Sequence, residues 1–112
     1  NLTDFTRIVS INSEYTNLNL YFLKVVKEND VKIKSYGLVD DDNLSYYITF
    51  ENEDGTTNTF IKVGNIIYLN NIKICNNVES FKIIVDKTLK TSISVEAIIL
   101  GNVYSSQYVI SN

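Results

Sequence analysis

The residue types that most often carry catalysis are sparse in this chain, and their spacing joins none of them. The 112 residues include no histidine. That removes the commonest general base, the commonest metal ligand and the usual activator of a serine or cysteine nucleophile. Cys75, the single cysteine, stands between Ile74 and Asn76 and reads as a small core hydrophobe. The one carboxylate cluster is Asp40-Asp41-Asp42, in which adjacent acids point in different directions. It lacks the glycine at the sixth position of an EF-hand loop, so a solvated turn is expected, with a calcium site as the alternative. Gly37, Gly55, Gly64 and Gly101 lie too far apart to form a phosphate-binding loop. No catalytic, cofactor-binding or metal residues are assigned, and the chain reads as non-enzymatic.

Charge and composition exclude further classes. The formal charge is −3, and the lysines and the single arginine are scattered without a basic stripe, which argues against direct nucleic-acid binding. An acidic surface also disfavours docking on anionic lipid. One cysteine permits no intrachain disulfide, as in a cytosolic protein or an exported one from a cell that rarely uses disulfides. No stretch approaches the roughly 20 apolar residues that span a bilayer. With 45% hydrophobic residues, residues 1–112 supply one core and one domain. The apolar set is β-branched and aromatic, with Ala97 the only alanine, which leans toward sheet. The chain has no methionine and begins at Asn1 within a helical pattern, so an N-terminal segment is expected to have been removed.

Two periodicities define the elements that would position any surface. Ile11, Tyr15, Leu18, Phe22 and Val25 draw one stripe down a helix over about residues 2–28, extended upstream by Leu2, Phe5, Ile8 and Val9. After Asp30 the period becomes two. Val31, Ile33 and Ser35 make a short strand or extended link, and residues 31–45 remain open. Tyr46, Ile48 and Phe50 form a strand that turns at Asn52-Glu53-Asp54-Gly55 into Thr57–Val63. Gly64-Asn65 turns again into Ile66–Leu69. Residues 70–77 are ambiguous, with asparagine pairs flanking Ile72-Lys73-Ile74-Cys75. Val78–Asp86 and Ser92–Leu100 are strands, the second with Ile93, Val95, Ala97 and Ile99 inward. Val103–Ile110 follows Gly101-Asn102. The expected fold is α+β, an N-terminal amphipathic helix packed on an antiparallel β-meander of about residues 45–110.

The helix has two parts. Tyr15–Val26 is expected to be core. Leu2–Ile11 is either a by-product of where the chain starts or a site for partner helices, and Leu2, Phe5, Ile8, Val9 and Ile11 are the candidate subunit-interface residues.

A family resemblance rests on Thr59-Phe60-Ile61-Lys62-Val63-Gly64-Asn65 and Ile66-Ile67-Tyr68-Leu69. It continues through Asn77-Val78-Glu79-Ser80-Phe81-Lys82-Ile83 and Ile93-Ser94-Val95-Glu96-Ala97-Ile98-Ile99-Leu100. With a long helix ahead of a meander, this pattern resembles the soluble domain of type IV pilin-like proteins. It is most similar to minor pilins and pseudopilins, in particular J-class pseudopilins of type II secretion and F-class competence pilins. It covers about the second half of the chain in pattern and the first helix in position. The family's leader and apolar segment with an early glutamate are not in this sequence. The lack of a disulfide departs from many pilins but not from those of Gram-positive bacteria.

The resemblance implies a pilin-like fold and a minor filament subunit at the cell surface, anchored before assembly only through the missing membrane helix. Its partners would be other pilin or pseudopilin subunits, with no cofactor and no catalysis. The alternative is an extracellular adhesion or ligand-binding domain outside any filament, using exposed tyrosines such as Tyr104 and Tyr108.

Overall fold

The computed structural model describes the backbone of residues 2–27, 30–40 and 42–110, and the side chains of residues 14–26, 30–40 and 42–110. The helical stripe forms α1, Leu2–Lys27. The period-two segments form β1 (Lys32–Leu38), β2 (Tyr46–Glu51), β3 (Thr57–Val63), β4 (Ile66–Leu69), β5 (Ile72–Cys75), β6 (Val78–Asp86), β7 (Thr91–Ile99) and β8 (Asn102–Ile110). Hairpins join neighbours in chain order. A five-stranded sheet runs β1-β2-β3-β4-β5 and a three-stranded sheet runs β6-β7-β8, and every strand pair is antiparallel.

The expected α+β class, one helix on a single meander, does not hold. The described chain is mostly antiparallel β, eight strands in two sheets with one helix, and it does not have the pilin-like helix-on-meander architecture. Two local features account for the difference. Lys32–Leu38 pairs with β2 along its length, so the first sheet starts before residue 45. Asn76-Asn77 then carries the chain out of that sheet instead of into another hairpin. Asn77 takes a positive φ of 60°, and the N–H of Val78 donates to the carbonyl of Asn65 at 2.9 Å, which directs β6 to begin a second sheet.

Side-chain alternation places the core between the sheets. Ile48, Phe50, Phe60 and Ile67 come from the first sheet, and Val78, Phe81, Ile83, Ile93, Val95, Ala97, Ile99, Tyr108 and Ile110 from the second. Leu18, Phe22, Val25 and Val26 of α1 complete it. Phe22 is fully buried. Its ring stacks on Phe60 of the first sheet at 3.9 Å between centroids and on Tyr108 of the second at 5.2 Å, with Phe50 edge-on at 6.4 Å. One helical side chain therefore touches both sheets through aromatic contacts that add to its area burial.

The turns use residues suited to their dihedrals. Asn70 and Asn71, at φ 52° and 69°, close the two-residue β4–β5 turn, because asparagine tolerates the left-handed region. Asp54 accepts hydrogen bonds from the N–H and hydroxyl of Thr56, and Asp86 does the same with Thr88. These bonds hold both carboxyls below their usual value near 3.8.

Phe22→Ala removes the ring shared by both sheets. It is expected to cost about 3–5 kcal/mol, read as a lower midpoint in chemical denaturation. A loss below about 1 kcal/mol would contradict this placement. The two Asp turns have the sign of depressed carboxylates: their stabilisation is present above about pH 4 and is lost as pH falls through the lowered values. D54N/D86N is expected to flatten the acid limb of a stability–pH curve, and an unchanged limb would contradict the assignment.

Candidate functional site

The C-terminal half of α1 sits in a seat built by both sheets. On one flank, Glu14 Oε2 accepts the N–H of Asn76 at 2.8 Å, and Cys75 Sγ lies 3.7 Å from the Glu14 carbonyl. Burial, reinforced by the Glu14 charge, pushes the Cys75 thiol up to about 12. The thiolate is the nucleophilic form, so at neutral pH Cys75 is a packing group.

On the other flank, the ring of Tyr15 stacks on Tyr104 at 4.5 Å and 18°, and its hydroxyl meets Ser106 Oγ. The Tyr108 hydroxyl donates to Asn19 Oδ1. Burial, then the neighbouring Tyr15, raises Tyr108 to about 12 despite an opposing hydrogen bond with Ser106. Tyr108 is buried and Tyr104 packs partly buried against the core. Neither is the freely exposed tyrosine that the adhesion reading needs.

The opposite seam is closed by a polar clasp that sequence reading missed. Lys62 and Ser45 are 4% and 3% exposed, and Lys62 Nζ donates to Ser45 Oγ at 2.9 Å. The Ser45 hydroxyl in turn faces Asp42 Oδ2 at 3.3 Å. Asp42 Oδ1 accepts the N–H groups of Leu44 and Ser45 at 3.0 and 3.1 Å. These bonds, led by that from Leu44, lower its carboxyl below the usual range. Beside the clasp, Ser45 bridges Phe81 across the two sheets, and the N–H of Phe81 donates to the Leu44 carbonyl at 2.8 Å. The available signal was the alternation itself, since Lys62 follows Phe60 by two residues and shares its inward face.

Asp42 thus serves its own turn. Among the described residues, no group of three or more His, Cys, Asp or Glu is placed to hold a metal ion. The Ser45–Lys62 pair resembles a nucleophile–base dyad in composition, but both side chains are buried and Ser45 Oγ is already bonded on both sides. An open depression of about 410 Å³ is lined by Asp30, Val31, Lys32, Glu51, Asn52, Glu53 and Gly55, at the end of the β1–β2 pair opposite Ser45. Lys32 and Lys34 lie 3.7 and 4.0 Å from the Glu51 carboxylate at this margin.

The candidate interface residues Leu2, Phe5, Ile8, Val9 and Ile11 lie on the first turns of α1, and their side chains fall outside the described residues. Among the described residues, no helix is long and apolar enough to cross a membrane. Comparison with protein-family models, curated proteins and solved structures finds no match for the chain.

Ser45→Ala deletes the acceptor for Lys62 Nζ and leaves a buried donor unmet, an expected loss of about 1.5–3 kcal/mol. Lys62→Met keeps the packed stem without the donor and is expected to cost less than Ser45→Ala. Equal losses in the two variants, measured by urea denaturation, would contradict the clasp.

Proposed function

We propose that the chain is a non-catalytic assembly subunit that joins other subunits through the N-terminal turns of α1, as a minor component of a type IV pilus-like filament. The observation that carries this reading is the reach of α1. The molecule measures 48 × 30 × 28 Å, whereas the longest strands have nine residues, about 30 Å at 3.3 Å per residue. A helix of 26 residues is about 39 Å long at 1.5 Å per residue. Its described side chains include Tyr15, Leu18, Phe22, Val25 and Val26 in or against the core, and residues 2–13 span about 18 Å of helix upstream of them. In sequence, those turns carry Leu2, Phe5, Ile8, Val9 and Ile11 at helical spacing, a stripe suited to packing against other helices.

The resemblance to pilin-type proteins is one of sequence pattern alone, since its strands divide between two sheets, and the reading rests on the helix. The filament would stand at the cell surface, its subunits anchored beforehand by a membrane helix upstream of this domain. The two-sheet fold acts as the head that fixes the helix direction. Partners are other pilin-type subunits, and neither cofactor nor nucleic acid takes part.

In the native host, the protein is expected in the sheared surface-filament fraction. F5D/I8D is expected to remove it from that fraction, while circular dichroism and thermal melting of the purified domain show that the variant still folds. A variant that still enters filaments, or a wild-type protein absent from them, would overturn the reading.

A further inference from the structure

The edges of the two sheets are not alike. β1 carries Lys32 and Lys34 and a register break between Ile33 and Ser35. β5 has only four residues. The β6 edge is occupied at Phe81 by Leu44 and Ser45. Charges, bulges, short length and cover are the usual protections of a strand edge.

β8 has neither charge, bulge nor shortness to protect it, and α1 packs against its inward-facing Tyr104, Ser106 and Tyr108. Its nine residues include no charged residue and no proline, and it pairs with β7 without a register shift. Among the described residues, no strand pairs with its other side.

The sequence of that edge is close to a palindrome about Ser106. Val103 matches Val109, Tyr104 matches Tyr108, and Ser105 matches Gln107 as uncharged polar residues. We propose that β8 pairs antiparallel with β8 of a second copy of this chain, about a two-fold axis at Ser106, to make one continuous sheet. An isologous contact must be self-complementary, and this edge meets that condition in register.

On the outer face, Val103 lies opposite the partner's Val109, and Ser105 opposite the partner's Gln107. Val103 and Val109 are 62% and 58% exposed in the single chain, and each is covered by a cross-strand β-branched neighbour in the pair. No like charges face each other. The two-fold relation consumes both edges, so the contact closes at two copies and does not propagate as a fibre.

The flank of α1 beside this edge fits the same partner. Tyr15 and Asn19 reach β8. At 3.6 residues per turn, Leu23 continues their row and Leu20 lies one position further round, away from the core. Leu20 is 57% exposed and would meet the same flank of the second helix. Because α1 runs along β8 in the same sense, Tyr15 at Tyr104 and Asn19 at Tyr108, the pair sets the two helices antiparallel. A polar filament would align them, so the pair is a state of the free domain and does not rest on the filament reading.

Sedimentation equilibrium over a concentration series tests this. The wild-type protein is expected to be a concentration-dependent dimer. S105K/Q107K sets like charges directly opposite twice and is expected to weaken dimerisation about tenfold or more, whereas S105K/Q107E sets opposite charges in the same places and restores it. Both positions are exposed, and circular dichroism and melting of each variant check that the monomer fold is kept. A wild type that stays monomeric, or two double variants that behave alike, would overturn the proposal. So would a dimer abolished by F5D/I8D and untouched by S105K/Q107K, since that places the contact on the helix end.

Discussion

The ring of Phe22, held between Phe60 and Tyr108, is the contact on which the arrangement of this protein depends. Two small antiparallel sheets with short connections have little inherent reason to keep a fixed relation. The apolar face of each sheet must be buried against another element. Here the partner is shared. α1 inserts one aromatic side chain where both inner faces converge, and Leu18, Val25 and Val26 bury beside it. The helix belongs to the core of both sheets at once. Its direction is set by that insertion and by polar ties on each flank, Glu14 to Asn76 and Asn19 to Tyr108.

The opposite seam solves the same problem with different chemistry. Among the described residues no helix lies there, and the chain uses the bridge between Ser45 and Phe81 and the buried contact of Lys62 with Ser45. A buried polar contact contributes modestly to stability but costs heavily if a partner is lost. It holds Ser45 in place, and the Ser45–Phe81 bridge with the Phe81 N–H bond to the Leu44 carbonyl ties the first sheet to the second. One seam is apolar and helical, the other polar and backbone-linked. Between them they leave β8 as the long edge that, among the described residues, pairs with no further strand.

Much of the local structure was legible in the sequence because each signal was local. The stripe through Tyr15, Leu18, Phe22 and Val25 marked the core face of α1, and the alternation of Ile93, Val95, Ala97 and Ile99 marked an inward strand face, all four now buried. Asp54-Gly55 marked its turn. The fold class was not legible. Asn70-Asn71 and Asn76-Asn77 look alike, yet the first closes a hairpin and the second carries the chain to another sheet, a difference decided by long-range packing. β1 was hidden by its lysines and its register break. The last hairpin turns at Leu100-Gly101, one residue earlier than Gly101-Asn102 suggests, because Ile99 pairs with Asn102 and Leu100 accepts a φ of 49°. Of the functional surfaces, the helix stripe was readable as a pattern. The Lys62 clasp was not, because a lysine among apolar residues reads as solvent-facing unless its alternation is trusted over its charge.

Native-state hydrogen exchange tests the shared-core account most directly. If α1 joins the two sheets, amides of residues 18–26, of β3 and of β7 open together, with one exchange free energy equal to that of global unfolding. Exchange of residues 18–26 at the rate of an unstructured peptide while both sheets stay protected would contradict it, because the sheets would then hold together without the helix.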